Sequence, residues 1–191
     1  FGLVYSPIVI TGLHQSFPPI ELQLQQQGGS FIFATASMAN IAQGAATLAV
    51  FFLAKGEKLK GLAGASGVSA VLGITEPAIF GVNLRLRWPF FIGIGSAAVG
   101  GALIALLNVK AVALGAAGFL GVVSIKAEDM GPFMICAVIT FIVSFAAAFV
   151  YGRYLAQRNG SIDPDDVGAA VDISADAAPV VTTEVAAENA L

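Results

Sequence analysis

From Pro132 to Tyr151, twenty residues run without a charge, most of them large and apolar. About 20 such residues in a helix cross a hydrocarbon core roughly 30 Å thick. Lipid offers the backbone no hydrogen-bond partners, so a spanning segment must satisfy its own N–H and C=O groups, as a helix does. A chain with this stretch is expected to be an all-α integral membrane protein built around a transmembrane helix bundle.

The same test divides the rest of the chain. Ser30–Ala54 and Pro89–Leu107 are long enough to span, although the first carries Asn40 and Gln43. Phe1–Leu13 is short and reads as the end of a span. His14–Gly29 is polar and carries prolines. Gly61–Asn83 is apolar but broken at Glu76-Pro77, and Ala111–Ile125 is glycine-rich and short for a crossing. The first residue is Phe1, inside an apolar run, with no basic stretch before it and no small-residue cleavage site after it. A signal peptide is therefore not expected, and the chain reads as the C-terminal portion of something longer.

Charge sharpens this division. Only 11% of residues are charged, against about 25% in soluble domains. Seven of the twelve acids (Asp163, Asp165, Asp166, Asp172, Asp176, Glu184, Glu188) fall in the last 31 residues, leaving nine bases against five acids before them. The apolar body is net +4. Residues 1–158 are therefore expected to form the membrane part, and 159–191 an acidic disordered tail or linker with little to bury. Lys55, Lys58 and Lys60 form one basic cluster and Arg153 and Arg158 another. Both should face the cytoplasm, and the tail with them. Arg85 and Arg87 stay unassigned. The bases form no patch for nucleic acid. One cysteine, Cys136, and one histidine, His14, leave no disulfide, no metal-site spacing and no cofactor motif. Cys136 has no nearby base and reads as structural. Asp163-Pro164-Asp165-Asp166 fits no calcium loop and reads as solvated linker.

The informative break is Gly73-Ile74-Thr75-Glu76-Pro77. A carboxylate at the bilayer centre costs about 2.5–3.5 kcal/mol and normally faces a cavity or a partner. Pro77 disfavours helix at Glu76, so a broken helix or re-entrant hairpin with Glu76 at its tip is expected. Carbonyls freed by the break, together with the carboxylate, suit a polyhydroxylated ligand. The competing reading is an interfacial loop with a solvated Glu76. His14 can donate and accept hydrogen bonds, yet a lone loop histidine more often has no role. Asn40 and Gln43, spaced i, i+3, read as interhelical hydrogen-bond formers. Asn83 and Arg85 close the Glu76 segment. Ala97 with Gly101, and Ser66 with Ala70, allow close helix approach.

Thr11-Gly12-Leu13-His14-Gln15-Ser16-Phe17, Asn40-Ile41-Ala42-Gln43-Gly44 and Gly73 to Asn83 (GITEPAIFGVN) carry a resemblance. Over Phe1 to Asn159 the chain resembles enzyme IIC, the membrane component of phosphoenolpyruvate-dependent sugar phosphotransferase systems, in the glucose/sucrose/β-glucoside group. It is most similar to the sucrose permeases. The resemblance implies a dimeric all-α fold with two re-entrant hairpins, with sucrose or a related disaccharide as ligand. It also implies a phosphorylated IIB domain as phosphoryl donor, itself charged through IIA and HPr, and a bacterial plasma-membrane location. It assigns Glu76 to sugar hydroxyls and His14 to the hydroxyl that becomes phosphorylated, which reverses the reading of His14 from the residues alone. Thr75, Asn83, Gln15 and Asn40 become further candidates for sugar binding. No IIB cysteine motif surrounds Cys136, so this chain is not the phosphoryl donor. Three alternatives remain: trehalose or β-glucoside specificity, a proton-coupled sugar transporter using Glu76, and a non-transporting membrane anchor. An intramembrane protease lacks its motif.

Overall fold

The computed structural model describes residues 1–115 and 117–163. The acidic tail expected from 159 lies outside the described residues from position 164 onward, and with it Asp165, Asp166, Asp172, Asp176, Glu184 and Glu188.

The centre of the bundle is α3 (Phe31–Leu53). Ser30 caps it in an extended conformation, its hydroxyl accepting the Ile32 N–H at 3.1 Å. Such a cap stabilises a helix by about 1 kcal/mol. The sequence of α3 alternates alanines with Thr35, Ser37, Asn40, Gln43 and Thr47, and all of these are buried. A helix buried on every face has room only for small side chains and for polar groups that find partners. Two apolar helices flank it. α7 (Trp88–Leu106) runs antiparallel to α3, and α8 (Met130–Asn159) runs parallel. These three are the described helices long and apolar enough to cross a membrane.

The outer faces of α7 and α8 expose Phe91, Leu106, Ile135, Ile142 and Val150, with Leu106 79% exposed. Their inner faces present small residues. A Cβ on Gly100 would lie 2.9 Å from the Met38 Cβ of α3 and would also strike the Thr140 hydroxyl of α8. A bundle that is small inside and bulky outside is built for lipid, where association rests on close packing and interhelical hydrogen bonds.

Before and between the spans, the chain makes three excursions into the bundle. The first begins with α1 (Gly2–Thr11), reverses at Gly12 (φ +77°) through a 3₁₀ turn Leu13–Ser16, and returns along α2 (Phe17–Gln26) to Ser30. The second enters from the opposite end. α4 (Glu57–Val71) starts beside the Lys55 loop, and the chain turns at Gly73 (φ +116°). It goes back through α5 (Glu76–Ala78), a π-helical turn Ile79–Asn83, and α6 (Leu84–Leu86). Leu59 of α4, Val82, Leu86, Ala54, Leu155 and Ile162 share one apolar cluster, so this hairpin ends where it began. Pro77 occupies the first turn of α5, where its missing N–H has no helical partner to lose.

The third excursion is the glycine-rich segment read as short for a crossing. It is not a helix: Ala111 pairs with Ser30 through two 2.8 Å backbone hydrogen bonds and forms a second bridge with Ile125. The return limb is a 3₁₀ stretch, Gly118–Ser124. Its tip lies against the second hairpin, where a Cβ on Gly73 would fall 2.7 Å from the Ala117 carbonyl oxygen.

Two features extend the reading from sequence. Arg85 and Asp163 line one cleft, so Arg85 and Arg87 join Lys55, Lys58, Lys60, Arg153 and Arg158 at one end of the bundle. The packed chain also continues past the expected boundary at 158. Ile162 is buried, and the Asp163 carboxylate accepts the Lys55 and Gly56 N–H groups at 3.2 and 2.8 Å. Asp163 is therefore a local cap and not solvated linker. The sequence reading missed it because its partners lie more than a hundred positions away.

Candidate functional site

His14 and Glu76 meet where the first and second excursions approach each other from opposite ends of the bundle. The His14 Nε2 lies 4.0 Å from the Glu76 Oε1, with side-chain exposures of 17% and 50%. Each owes its position to a break in helix. Gly12 in the left-handed region lets the chain leave α1 and carry His14 on the following turn. Gly73 does the same after α4 and delivers Glu76 as the first residue of α5. The Asn40 amide of α3 donates to the Gly73 carbonyl at 3.2 Å and fixes the depth of that turn. Asn40 lies toward the middle of a 23-residue helix, about 35 Å long at 1.5 Å per residue. The tip therefore reaches the mid-depth of the bundle rather than a loop at its end.

The neighbouring candidates divide into two groups. Gln15 stands beside the pair: its amide nitrogen donates to the His14 Nε2 at 3.0 Å. With Nε2 accepting, a neutral ring carries its proton on Nδ1, and that atom is buried without a protein partner. Thr75 is buried immediately before Glu76, and its carbonyl accepts the Ile79 N–H at 2.9 Å, which starts the return limb.

Asn83 is placed elsewhere. It is fully buried; its amide nitrogen donates to the Gln43 carbonyl (3.1 Å) and Gln43 Oε1 (2.8 Å), and its oxygen accepts from Thr47 (2.9 Å). The Gln43 amide nitrogen in turn donates to Ser6 Oγ (3.2 Å) and the Phe90 carbonyl (3.3 Å). One polar network thus ties α1, α3, the π-turn and α7 together. Gln43 has the interhelical role read from its spacing, whereas Asn40 bonds to the turn at Gly73.

Tyr5 and Glu21, near the histidine, drew no attention in the sequence, and Phe17 entered only as the end of a motif. Tyr5, Phe17 and Glu21 line a cavity of about 240 Å³ with His14, Gln15 and Leu114. Glu21 is buried and accepts from the Ser30 hydroxyl at 3.0 Å, beside the N-terminus of α3. An acid in a polar segment gives no signal by itself; only the fold shows that this one is inside. Among the described residues, no three His, Cys, Asp or Glu side chains converge to hold a metal ion.

Broken helices that bring ionisable groups together at membrane depth recur in membrane transporters. Comparison with known proteins identifies the lineage. The family described as "Phosphotransferase system, EIIC" matches residues 1–94, which contain both His14 and Glu76. The chain is 53% identical over 157 residues to the sucrose-specific EIIBCA component of Pediococcus pentosaceus, a match covering 80% of this chain and 24% of that protein. It is 59% identical over 136 residues to the sucrose-specific EIIBC component of Staphylococcus xylosus (69% of this chain, 28% of that protein). It is 46% identical over 156 residues to the trehalose-specific EIIBC component of Bacillus subtilis (81% of this chain, 33% of that protein). No solved structure matches the chain significantly. The chain belongs to the EIIC family of the phosphotransferase system. It spans about a quarter to a third of the length of these relatives.

Proposed function

We propose that the chain is the sugar-binding part of a phosphotransferase-system permease that carries sucrose across the bacterial plasma membrane and presents it for phosphorylation. The observation that carries this reading is the His14–Glu76 pair, held at 4.0 Å by two hairpins that enter from opposite ends. A carboxylate that keeps half its surface open can accept hydrogen bonds from sugar hydroxyls. These charge-assisted bonds are roughly twice as strong as neutral ones. His14 then stands beside the hydroxyl to be phosphorylated. A phosphocysteine on a IIB domain loses its S–P bond as that hydroxyl forms the O–P bond. His14 Nε2, released from Gln15, takes the hydroxyl proton. The remaining contribution is positioning and exclusion of water. The charged product stays in the cytoplasm.

Direction follows from charge. The end of the bundle with seven of the nine bases faces the cytoplasm. There it meets IIB, which is charged through IIA and HPr, and the segment beyond Asp163 emerges on the same side. The working unit is a homodimer. The sucrose-specific relatives support sucrose, and the trehalose-specific ones keep trehalose as the second reading.

The test uses membrane vesicles containing the chain in its full-length protein, with phosphoenolpyruvate, the general phosphotransferase proteins and labelled sucrose. Wild type should form sugar phosphate. Glu76→Gln should lower sugar affinity at least about tenfold, the equivalent of one charged hydrogen bond, and His14→Ala should abolish transfer. Trehalose phosphate in place of sucrose phosphate would move the specificity within the family. Uptake of unmodified sugar driven by a proton gradient would overturn the phosphotransfer reading.

A further inference from the structure

We propose that the cavity beside His14 is a second sugar subsite, which holds the ring of the disaccharide that is not phosphorylated. This rests on the sugar-binding reading above and adds to it the place and chemistry of the second ring.

The cavity opens between the first and third excursions and the first turns of α3, on the side of His14 facing the Ser30 end. The phosphoryl donor arrives from the other end, where the Lys55 loop and the base of the second hairpin lie. A disaccharide that offers one hydroxyl to His14 and Glu76 toward that end must extend its other ring in the opposite direction, and the cavity is there. At about 240 Å³ it falls below the roughly 300–1,000 Å³ of pockets that enclose a whole drug-sized ligand. That volume suits one ring.

Its lining has the chemistry of a sugar site. Tyr5 and Phe17 stack nearly parallel, 24° apart with centroids at 6.4 Å, and put aromatic surface along one wall of the cavity. Such a wall matches the C–H face of a pyranose or furanose. Glu21 and Gln15 supply the polar side. An ionised carboxylate has about four acceptor sites, and the Ser30 hydroxyl and the Phe33 backbone N–H occupy two of Glu21's. The others can take hydroxyl protons. The His14 Nδ1, buried and without a protein partner, adds a donor beside the cavity.

The experiment combines kinetics with site protection in the same vesicles. Phe17→Ala should raise KM for sucrose about tenfold, the loss of one aromatic contact, and leave kcat within about twofold. Phe17→Cys and Leu114→Cys, each in a Cys136→Ala background, are then labelled with a maleimide and read by mass spectrometry of the modified peptide. Sucrose should slow labelling at both positions and leave Gln27→Cys, exposed just past the end of α2 and away from the cavity, unaffected. Sucrose phosphorylation with no protection at either position and an unchanged KM in Phe17→Ala would overturn the subsite alone. Failure of the unmodified protein to phosphorylate sucrose or trehalose would overturn the sugar-site reading and the subsite with it.

Discussion

Asn83 and Gln43 commit nearly all of their amide groups to one another, to Thr47, to Ser6 and to the Phe90 carbonyl. In lipid such a network is difficult to replace, because a freed amide finds no water. Asn83→Ala is therefore expected to destabilise the bundle by about 1–3 kcal/mol, the cost of leaving buried polar partners unsatisfied, and to lower the thermal midpoint in detergent. The same variant separates two roles. Loss of sugar affinity at an unchanged midpoint would return Asn83 to the sugar-contacting set that the family resemblance implied. Glu76 was legible as an isolated acid in an apolar segment, and its setting confirms that it belongs to a break. His14 was not legible from residue chemistry alone, because its neighbour Glu76 is 62 positions away and only folding brings the two together.

At the level of elements, length and hydropathy located the three spans, since an uncharged run of that length admits few other structures. They could not describe the third excursion. Ala111–Ile125 has the composition of a short apolar helix, yet its backbone is extended and 3₁₀ because it pairs with Ser30 and packs under the tip at Gly73. Those constraints are tertiary and leave no local pattern. The turn at Gly73 depends on glycine twice: φ is +116°, and a Cβ would lie 2.7 Å from the Ala117 carbonyl oxygen. Gly73→Ala is expected to cost roughly 1–3 kcal/mol of backbone strain and to displace Glu76. Sugar phosphorylation should then fall more steeply than the amount of folded protein recovered in membranes. Equal losses would mean that the turn supports only folding.

For the molecule as a whole, the charge distribution gives a direct test of orientation. Lys58 lies at the end with seven of the nine bases, and Lys126 at the other, paired with Glu128 at 2.9 Å. A membrane-impermeant maleimide should label Lys58→Cys only from the cytoplasmic side and Lys126→Cys only from outside. The reverse pattern would invert the proposed path of the sugar. The meeting of His14 and Glu76 from opposite ends carries a mechanical consequence as well. Neither hairpin holds a complete site, so the two tips behave as the halves of a clasp and the ligand as its pin. A pinned clasp resists being pulled apart, which ligand linkage expresses as about 2.7 kcal/mol of added stability at a hundredfold excess over Kd. Under the proposed phosphotransfer the pin would change shape and charge, so the step that traps the sugar would also loosen the grip on it.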